Sequence, residues 1–298
     1  GLRVVRVNHE FRTRVGRKAL GARSMMSGAP PSLGGNLEPR AYDPASLDYQ
    51  EASARFWKFL SLRTVELMDL PRGGRVLDVA CGPGVSTLAA AESVGPQGRV
   101  IALDSSDQML QMVSERARDH GLENVDVQLG DMAQLDAAPQ SFDAVISVLG
   151  VFYVPDVQAL VSALWRILKP RGQLAITTLG KGAFESAFGI WKSAVRAERP
   201  GAPLTFSWER TEDPDTVRSL IEGAGVTNPT LRLEPREVPI PTPDDWWLAV
   251  MGSSMRRTML EMDKEATRRV RATCDQGLRD GDVKTMRMPG IYALARKP

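Results

Sequence analysis

Cysteine and histidine are scarce in this sequence of 298 residues, which contains two of each. Cys81 and Cys274 cannot build a disulfide framework, and such low cysteine usage favours a reducing compartment, so a cytoplasmic protein is expected. No apolar run approaches the roughly 20 residues that a membrane-spanning helix needs, and no membrane association is expected. No metal site is predicted.

A strong net charge is also missing, because the formal net charge is only +2 at pH 7. Residues 1–25 hold seven basic side chains and one acidic one, which leaves 31 basic against 35 acidic residues elsewhere. A mildly acidic body lacks the basic surface that nucleic acids require, so no nucleic-acid partner is predicted. The hydrophobic content of 43% is that of an ordinary globular protein.

The basic stretch 1–25 runs into a Pro/Gly/Ser-rich segment that ends at residue 36. A mitochondrial transit peptide would also be arginine-rich, but it would contain more serine than Ser24 alone. A disordered or non-native arm and linker over 1–36 is favoured, with Met25 or Met26 as the natural start. A basic arm for nucleic acid is the least favoured alternative.

The sequence is organised around residues 75–104, RVLDVACGPGVSTLAAAESVGPQGRVIALD. Arg75–Ala80 is rich in aliphatic residues and predicts a buried strand, which the following CGPG interrupts with a tight turn. An alanine-rich helix to Ser93 and a second strand ending on Asp104 complete the unit. Its helix N-terminus and bare glycine backbone allow a nucleoside ligand to approach, and Asp104 can accept hydrogen bonds from ribose hydroxyls.

Two nucleoside cofactors use such a unit. Gly82-x-Gly84 is an incomplete dinucleotide motif and only weakly indicates NAD. The acidic residue inside the strand, Asp78, favours another cofactor, since VLDVACGPG resembles the first motif of the class I S-adenosylmethionine-dependent methyltransferases. In that family the acidic residue lies near the methionine amino group of the cofactor, and the glycine turn passes beneath its methionyl and ribose portions.

Further motifs follow in the order of that family. NVDVQLGD predicts a third strand ending on Gly130-Asp131, and FDAVISVLGVFYVPD resembles the fourth motif. LKPRGQLAITTL resembles the turn and fifth strand, with Arg171 in place of the first glycine. Together with Asp104, these motifs are similar to the small-molecule branch related to the ubiquinone and menaquinone methyltransferases. An NAD enzyme would explain only the glycine turn and Asp104.

The resemblance implies an α/β fold, namely a Rossmann-like, seven-stranded, mostly parallel sheet with helices on both faces and a helical cap. The alternation of predicted strands and helices agrees independently. The implied cofactor is S-adenosylmethionine. The residues implied to bind it are Tyr49, Asp78, Ala80, Cys81, Gly82, Gly84, Asp104, Ser105, Met109, Gly130, Asp131, Met132 and Ser147.

Several of these residues have implied roles. Asp131 is expected to accept a hydrogen bond from the adenine amino group, while the N–H of Met132 reaches a ring nitrogen. Ser147 is expected to face the methionyl group. Met109 either touches adenine or packs in the core, and Ser105 or its neighbour caps the following helix.

The chain is expected to divide into functional segments. The predicted segments are an N-terminal helical lid at 37–70, a cofactor-binding core at 71–180, remaining core elements with a helical substrate cap at 181–285, and a closing strand at 286–298. As a lid, the first segment would bring Tyr42, Tyr49 or Trp57 to the methionyl end; the alternative is an amphipathic helix packed on the sheet.

The segment 181–285 departs from a bare core. Its patterns predict a helix with the stripe Phe184–Val195, another at Thr211–Ala224, a sixth strand at Thr230–Ile240, and a long helical region from Asp244 to Leu278. Its Trp, Phe and Met residues suit an apolar or aromatic substrate, although such stripes also form ordinary core.

A histidine general base is not expected, since His9 lies in the arm and His120 at a helix end. Tyr153 is the candidate catalytic residue, because it can orient an acceptor, although it can also simply pack. The weaker acidic candidates are Glu185, Glu209 and Asp244. Without a base, the acceptor would be an amine, an acidic phenol or a nucleophilic carbon.

The sequence therefore predicts methyl transfer from S-adenosylmethionine to a small, mostly apolar or aromatic metabolite, by a monomer or homodimer. One alternative is an S-adenosylmethionine-binding enzyme of another reaction, such as a pericyclic step. Another is an NAD-dependent oxidoreductase or a non-catalytic nucleotide-binding protein. The sequence does not identify the acceptor atom.

Overall fold

The computed structural model describes residues 46–298, with side chains from Leu47 onward. The arm and linker predicted at 1–36, including His9, and the lid candidate Tyr42 lie outside the described residues. Within them, no helix is both long enough and apolar enough to cross a membrane.

A seven-stranded sheet forms the centre of the structure, in the order β3-β2-β1-β4-β5-β9-β6. The strands in chain order are β1 Arg75–Val79, β2 Arg99–Asp104, β3 Val125–Leu129, β4 Phe142–Val148, β5 Leu168–Leu179, β6 Thr230–Glu234, β7 Glu237–Pro239, β8 Thr285–Arg287 and β9 Gly290–Arg296. Strands β1 to β5 pair in parallel, and β9 runs antiparallel to both neighbours. The predicted seven-stranded, mostly parallel sheet is confirmed.

Ten α-helices surround the sheet in the described part of the chain. They are α1 Ser46–Ala52, α2 Lys58–Glu66, α3 Val85–Val94, α4 Asp107–Asp119, α5 Val157–Ile167, α6 Ala187–Glu198, α7 Pro214–Gly223, α8 Pro243–Met251, α9 Met255–Leu260 and α10 Lys264–Asp280. Helices α2, α3 and α4 cover one face of the sheet, and α5 and α7 cover the other. The buried strand residues alternate between these two faces, as the two-residue period of a strand requires.

Several helices begin where the sequence supplies a capping side chain. Asp156, Asp213 and Asp263 each accept a hydrogen bond from the backbone N–H three residues later, at the starts of α5, α7 and α10. Thr242 and Pro243 begin α8 with a capping box and a proline in the first turn. These local signals mark where the helices begin.

A π-helical turn, Ser53–Trp57, joins α1 to α2. In an uninterrupted α-helix, Trp57 would be rotated by about 80° from Tyr49, eight residues earlier. The extra residue in a π-turn reduces this rotation, and the two ring centroids lie 5.8 Å apart. Further along, the Thr64 hydroxyl is 2.7 Å from that of Thr177 and anchors α2 to β5.

The structure corrects one strand prediction. Thr230–Ile240 is not one strand, because β6 ends at Glu234 and β7 pairs with β8 in a separate two-stranded sheet. Pro235 stands between them, and a proline inside a strand pattern lacks the N–H that a central ladder needs.

Two helix predictions are also refined. The stripe from Phe184 belongs to a helix that begins only at Ala187, because Phe184 has a positive φ of 68°. The region from Asp244 to Leu278 contains three helices rather than one.

A cluster of aromatic and methionine side chains fills the space above the carboxyl ends of the strands. It unites α1, the π-turn, α6, α8, α9 and α10. Phe206 stacks on Trp208 with ring centroids 4.5 Å apart, and Phe188 stacks on Trp191. Two ion pairs, Arg55–Asp245 and Arg256–Asp48, join the N-terminal helices to α8 and α9.

Gly252, at the end of α8, lets α1 pack closely. A Cβ built there would lie 2.4 Å from Cβ of Ala52 and 2.9 Å from the backbone oxygen of Asp48. We expect Gly252→Ala to lower the free energy of unfolding by about 1–3 kcal/mol through overpacking. Urea denaturation measures this loss. Gly201→Ala is the control, because a Cβ built at Gly201 meets no other atom within 4 Å. Equal losses in the two variants would contradict the close packing.

Candidate active site

The glycine turn after β1 is tied to the end of β2. The N–H of Gly82 donates to Asp104 Oδ2 at 2.9 Å, and the N–H of Ser106 donates to Oδ1 at 3.0 Å. Gly82 and Gly84 have positive φ values of 52° and 84°, a region that favours glycine. The turn is therefore held open beside a carboxylate at the carboxyl edge of the sheet.

Asp78 is fully buried beneath this turn. Its Oδ2 accepts hydrogen bonds from Ser86 Oγ at 2.8 Å and Thr87 Oγ1 at 2.6 Å, both in the first turn of α3. Its Oδ1 is buried without a partner. Burial raises the pKa of this carboxyl to about 6, although the two hydroxyls oppose the rise. The partner Ser86 was missed from the sequence, but a hydroxyl pair one turn after the glycines was the available signal.

Ser147 follows Ile146, the residue of β4 that lies opposite Asp78, so the side chains of Ser147 and Asp78 point to opposite faces of the sheet. Its hydroxyl is also buried without a partner. A Cβ on Gly150 would approach Ser147 Oγ to 3.0 Å and Cβ of Ala80 to 2.6 Å. The ends of β1 and β4 thus each carry one buried oxygen that has hydrogen-bonding capacity to spare.

A second group of predicted residues lies at the end of β3. The N–H of Gly130 donates to the backbone oxygen of Asp104 at 2.9 Å. Asp131 is exposed, and its Oδ1 accepts from the N–H of Ala133 at 2.8 Å. Met132 is half-buried and packs against the core. These residues adjoin the Asp104 edge, where the resemblance implies the adenine.

The helix after β2 settles which serine caps it. Ser106, rather than Ser105, caps α4, because its Oγ accepts from the N–H of Met109 at 3.2 Å. Ser105 is half-buried at the bend, and Met109 is buried.

Cys81 is a packing residue in the glycine turn. Its N–H donates to the backbone oxygen of Leu103 at 3.1 Å, and its side chain is buried. Burial, together with Asp104 and Asp78, raises the pKa of the thiol well above its ordinary value. The thiol therefore stays protonated and is a poor nucleophile.

A narrow cavity lies between the N-terminal helices and the helices of the cap. The residues that line it are Tyr49, Trp57, Leu149, Phe152, Tyr153, Leu179, Phe184, Trp208, Gly252, Ser253, Ser254 and Met288. Tyr49 also reaches the glycine turn, where a Cβ on Gly82 would lie 3.5 Å from its Cε1. Tyr49 therefore stands between the turn and the cavity.

Ser253, Ser254 and Met288 in this lining were not predicted. Ser253 and Ser254 belong to the sequence GSS, which interrupts the series of methionines at helical spacing in the cap. This interruption was the only local feature that could have indicated them.

The acidic candidates do not line this cavity. Glu209 Oε2 accepts from the N–H of Phe206, and Asp244 pairs with Arg271 at the surface. Glu185 precedes α6, and its backbone oxygen accepts from the N–H of Arg287. His120 ends α4 and is exposed. Tyr153 alone, of the catalytic candidates in the described residues, is among the lining residues.

Comparison with known proteins agrees with this geometry. Residues 76–172 match the family model of a methyltransferase domain. A demethylmenaquinone methyltransferase of Listeria welshimeri is 38% identical over 112 residues, covering 38% of this chain and 48% of the relative. The nocamycin O-methyltransferase of Saccharothrix syringae is 33% identical over 129 residues, covering 43% of this chain and 46% of the relative.

Residues 76–172 of this chain are thus similar in sequence to a methyltransferase domain. The predicted family, the fold class and S-adenosylmethionine as the cofactor are confirmed. The chain spans about half the length of the curated relatives it matches. The fold is shared with the solved structure of the [4+2]-cyclase SpnF, at a TM-score of 0.57 and 18% identity, over 92% of this chain and 99% of that one.

The site of this methyltransferase domain fits S-adenosylmethionine chemically. The cofactor carries an ammonium group, and the unpartnered Oδ1 of Asp78 is a buried acceptor beneath the glycine turn. The Asp104 carboxylate at the end of β2 is an acceptor that can take up to about four hydrogen bonds in total. The turn at Gly82 presents bare backbone beside the Asp104 carboxylate.

The buried Asp78 carboxyl makes stability depend on pH. Between its ordinary pKa of 3.8 and about 6, the folded protein holds a proton that the unfolded chain has lost. The free energy of unfolding should therefore fall as pH rises through this window, by up to about 3 kcal/mol. Asp78→Asn should abolish this contribution.

Urea denaturation at pH 4 to 7 compares wild type with Asp78→Asn. The exposed Asp119→Asn is the control and should follow the wild-type slope. Parallel curves for wild type and Asp78→Asn would show that the buried carboxyl does not titrate in this range.

Proposed function

We propose that this protein transfers the methyl group of S-adenosylmethionine to a small, mostly apolar or aromatic metabolite. Asp78 and Ser147 would hold the methionine end, Asp104 the ribose, and Asp131 with Met132 the adenine. When bound, the cofactor supplies a methyl group already activated by its sulfonium. The protein then has to align an acceptor with it and exclude water.

One observation carries the proposal for the acceptor: the cavity that adjoins the glycine turn is walled by aromatic rings. Trp57, Phe152, Phe184 and Trp208 line it, and Phe184 lies with its ring centroid 5.3 Å from that of Trp208. Such walls bind flat, apolar molecules and leave few polar groups to fix orientation.

The relatives support an acceptor of this kind. A demethylmenaquinone methyltransferase and a nocamycin O-methyltransferase match the cofactor-binding half. We propose a quinone- or polyketide-like acceptor, methylated at oxygen or carbon. The residues of the cap that line the acceptor cavity lie outside the matched domain. The acceptor of this protein can therefore differ from those of the relatives.

The lid and cap are part of this proposal. Residues 46–66 place Tyr49 and Trp57 against the cavity, and the Arg55–Asp245 and Arg256–Asp48 pairs hold these helices to the cap. We propose that the lid and the cap close over the cofactor after it binds. We also propose that the protein acts in the cytoplasm and is a monomer or a homodimer.

The ribose assignment predicts that Asp104→Ala weakens binding of S-adenosylhomocysteine by about 1–3 kcal/mol, because hydrogen bonds to a charged group are lost. Isothermal titration calorimetry measures this, with Glu115→Ala on the exposed side of α4 as the control. Unchanged affinity would remove Asp104 from the ribose site. Tight binding of NAD in place of S-adenosylhomocysteine would overturn the proposed function.

Transfer itself is tested with deuteromethyl-labelled S-adenosylmethionine in a cell extract. Mass spectrometry should detect apolar products that carry the label and depend on the protein. Conversion of a compound without label, while the cofactor analogue still binds, would instead support a pericyclic or other non-methylating reaction on the same site.

A further inference from the structure

The lining of the acceptor cavity comes from both the core and the cap. Leu149 directly follows β4 and Leu179 ends β5, so they belong to the carboxyl edge of the sheet. Gly252, Ser253 and Ser254 form the turn between α8 and α9 and belong to the cap. A molecule in the cavity therefore contacts the cofactor-binding core through one part of its surface and the cap turn through another.

The two neighbouring serines of this turn differ in their hydrogen bonds. Ser253 Oγ donates to the backbone oxygen of Val250 at 3.2 Å and accepts from the N–H of Met255 at 3.3 Å. Its single proton is therefore used within the chain. Ser254 Oγ is buried and has no hydrogen-bond partner among the described residues. Although Ser254 directly precedes α9, its side chain does not cap that helix.

A buried hydroxyl without a partner destabilises the folded protein, and native proteins seldom keep such a group. In the same lining, the indole nitrogen of Trp57 also makes no hydrogen bond of normal geometry. Burial raises the pKa of Tyr49, and the Trp57 N–H opposes this rise, so that N–H acts on the lid tyrosine. Ser254 is left with one donor and two acceptor positions that the described residues do not use.

We propose that Ser254 is a specificity-determining residue, which donates a hydrogen bond to an oxygen on the part of the acceptor that faces the cap. This inference rests on the proposed methyl transfer and narrows its substrate class. The acceptor is a flat, apolar molecule that carries a carbonyl or hydroxyl oxygen in addition to the atom that receives the methyl group. Ser254 orients this molecule and takes no part in the transfer.

The aromatic walls and the serine contribute differently to recognition. The walls bind flat apolar surface but place few directional contacts on it. A single hydroxyl in such a cavity discriminates between ligands, because an analogue without the matching oxygen leaves it unpaired. Acceptors with the oxygen are thus held in one orientation, and hydrocarbons of the same shape are not.

The test compares 1-naphthol with 1-methylnaphthalene, which have nearly the same shape and differ by a hydroxyl in place of a methyl group. Isothermal titration calorimetry measures both dissociation constants for the full chain saturated with S-adenosylhomocysteine. We expect Ser254→Ala to reduce the preference for 1-naphthol, taken as the ratio of the two constants, by roughly tenfold. Ser254→Thr keeps a hydroxyl and should retain most of the preference.

Ser253→Ala is the matched control, because Ser253 lines the same cavity and its proton is already used. It should leave the preference for 1-naphthol unchanged. Urea denaturation separates the two serines a second time. Ser253→Ala should lower the urea midpoint, since two hydrogen bonds are lost. Ser254→Ala should keep or raise the midpoint, since no hydrogen bond is lost.

Four results would overturn the inference. They are an unchanged preference in Ser254→Ala, which would show that the hydroxyl serves only a bound water; an equal loss of preference in Ser253→Ala; a midpoint of Ser254→Ala as low as that of Ser253→Ala; and no binding of either naphthalene. Failure of the proposed function is distinguishable, because S-adenosylhomocysteine would then not bind the wild type. If S-adenosylhomocysteine binds normally and one of the four results is found, only the inference about Ser254 is wrong.

Discussion

The hydrogen bonds between the Asp104 carboxylate and the backbone N–H groups of Gly82 and Ser106 organise the whole site. They join the turn after β1 to the beginning of α4, so two adjacent strands end at one fixed edge. Asp78 beneath the turn completes the arrangement by holding the first turn of α3 through Ser86 and Thr87. Parallel strands that end together make such an edge a natural ligand site.

Much of this half could be predicted because its determinants are local. The glycine turn, the carboxylate that ends β2 and the cap of α4 lie within about thirty residues of sequence. Hydrophobic runs bounded by glycine and proline located β1 to β5 for the same reason. The strand error at Pro235 arose where an alternation of aliphatic and polar residues outweighed a single proline.

The acceptor side could be predicted only in character. Tyr49, Tyr153 and Ser254 meet in one cavity although about a hundred residues separate each from the next. No periodic sequence pattern predicts that these residues lie close together, because the packing of α1 on α8 produces the contact. The π-turn that aligns Trp57 with Tyr49 likewise has no sequence signature as clear as a cap or a glycine turn. Composition alone indicated that the cavity would be aromatic.

The aromatic cluster has an optical consequence. Trp57 and Trp208 line the acceptor cavity, while Trp191 and Trp246 lie behind it in the same buried cluster. Four of the six indoles in the chain therefore share one environment. Their intrinsic fluorescence should therefore change when a ligand binds in the cavity, so binding can be followed without attaching a dye.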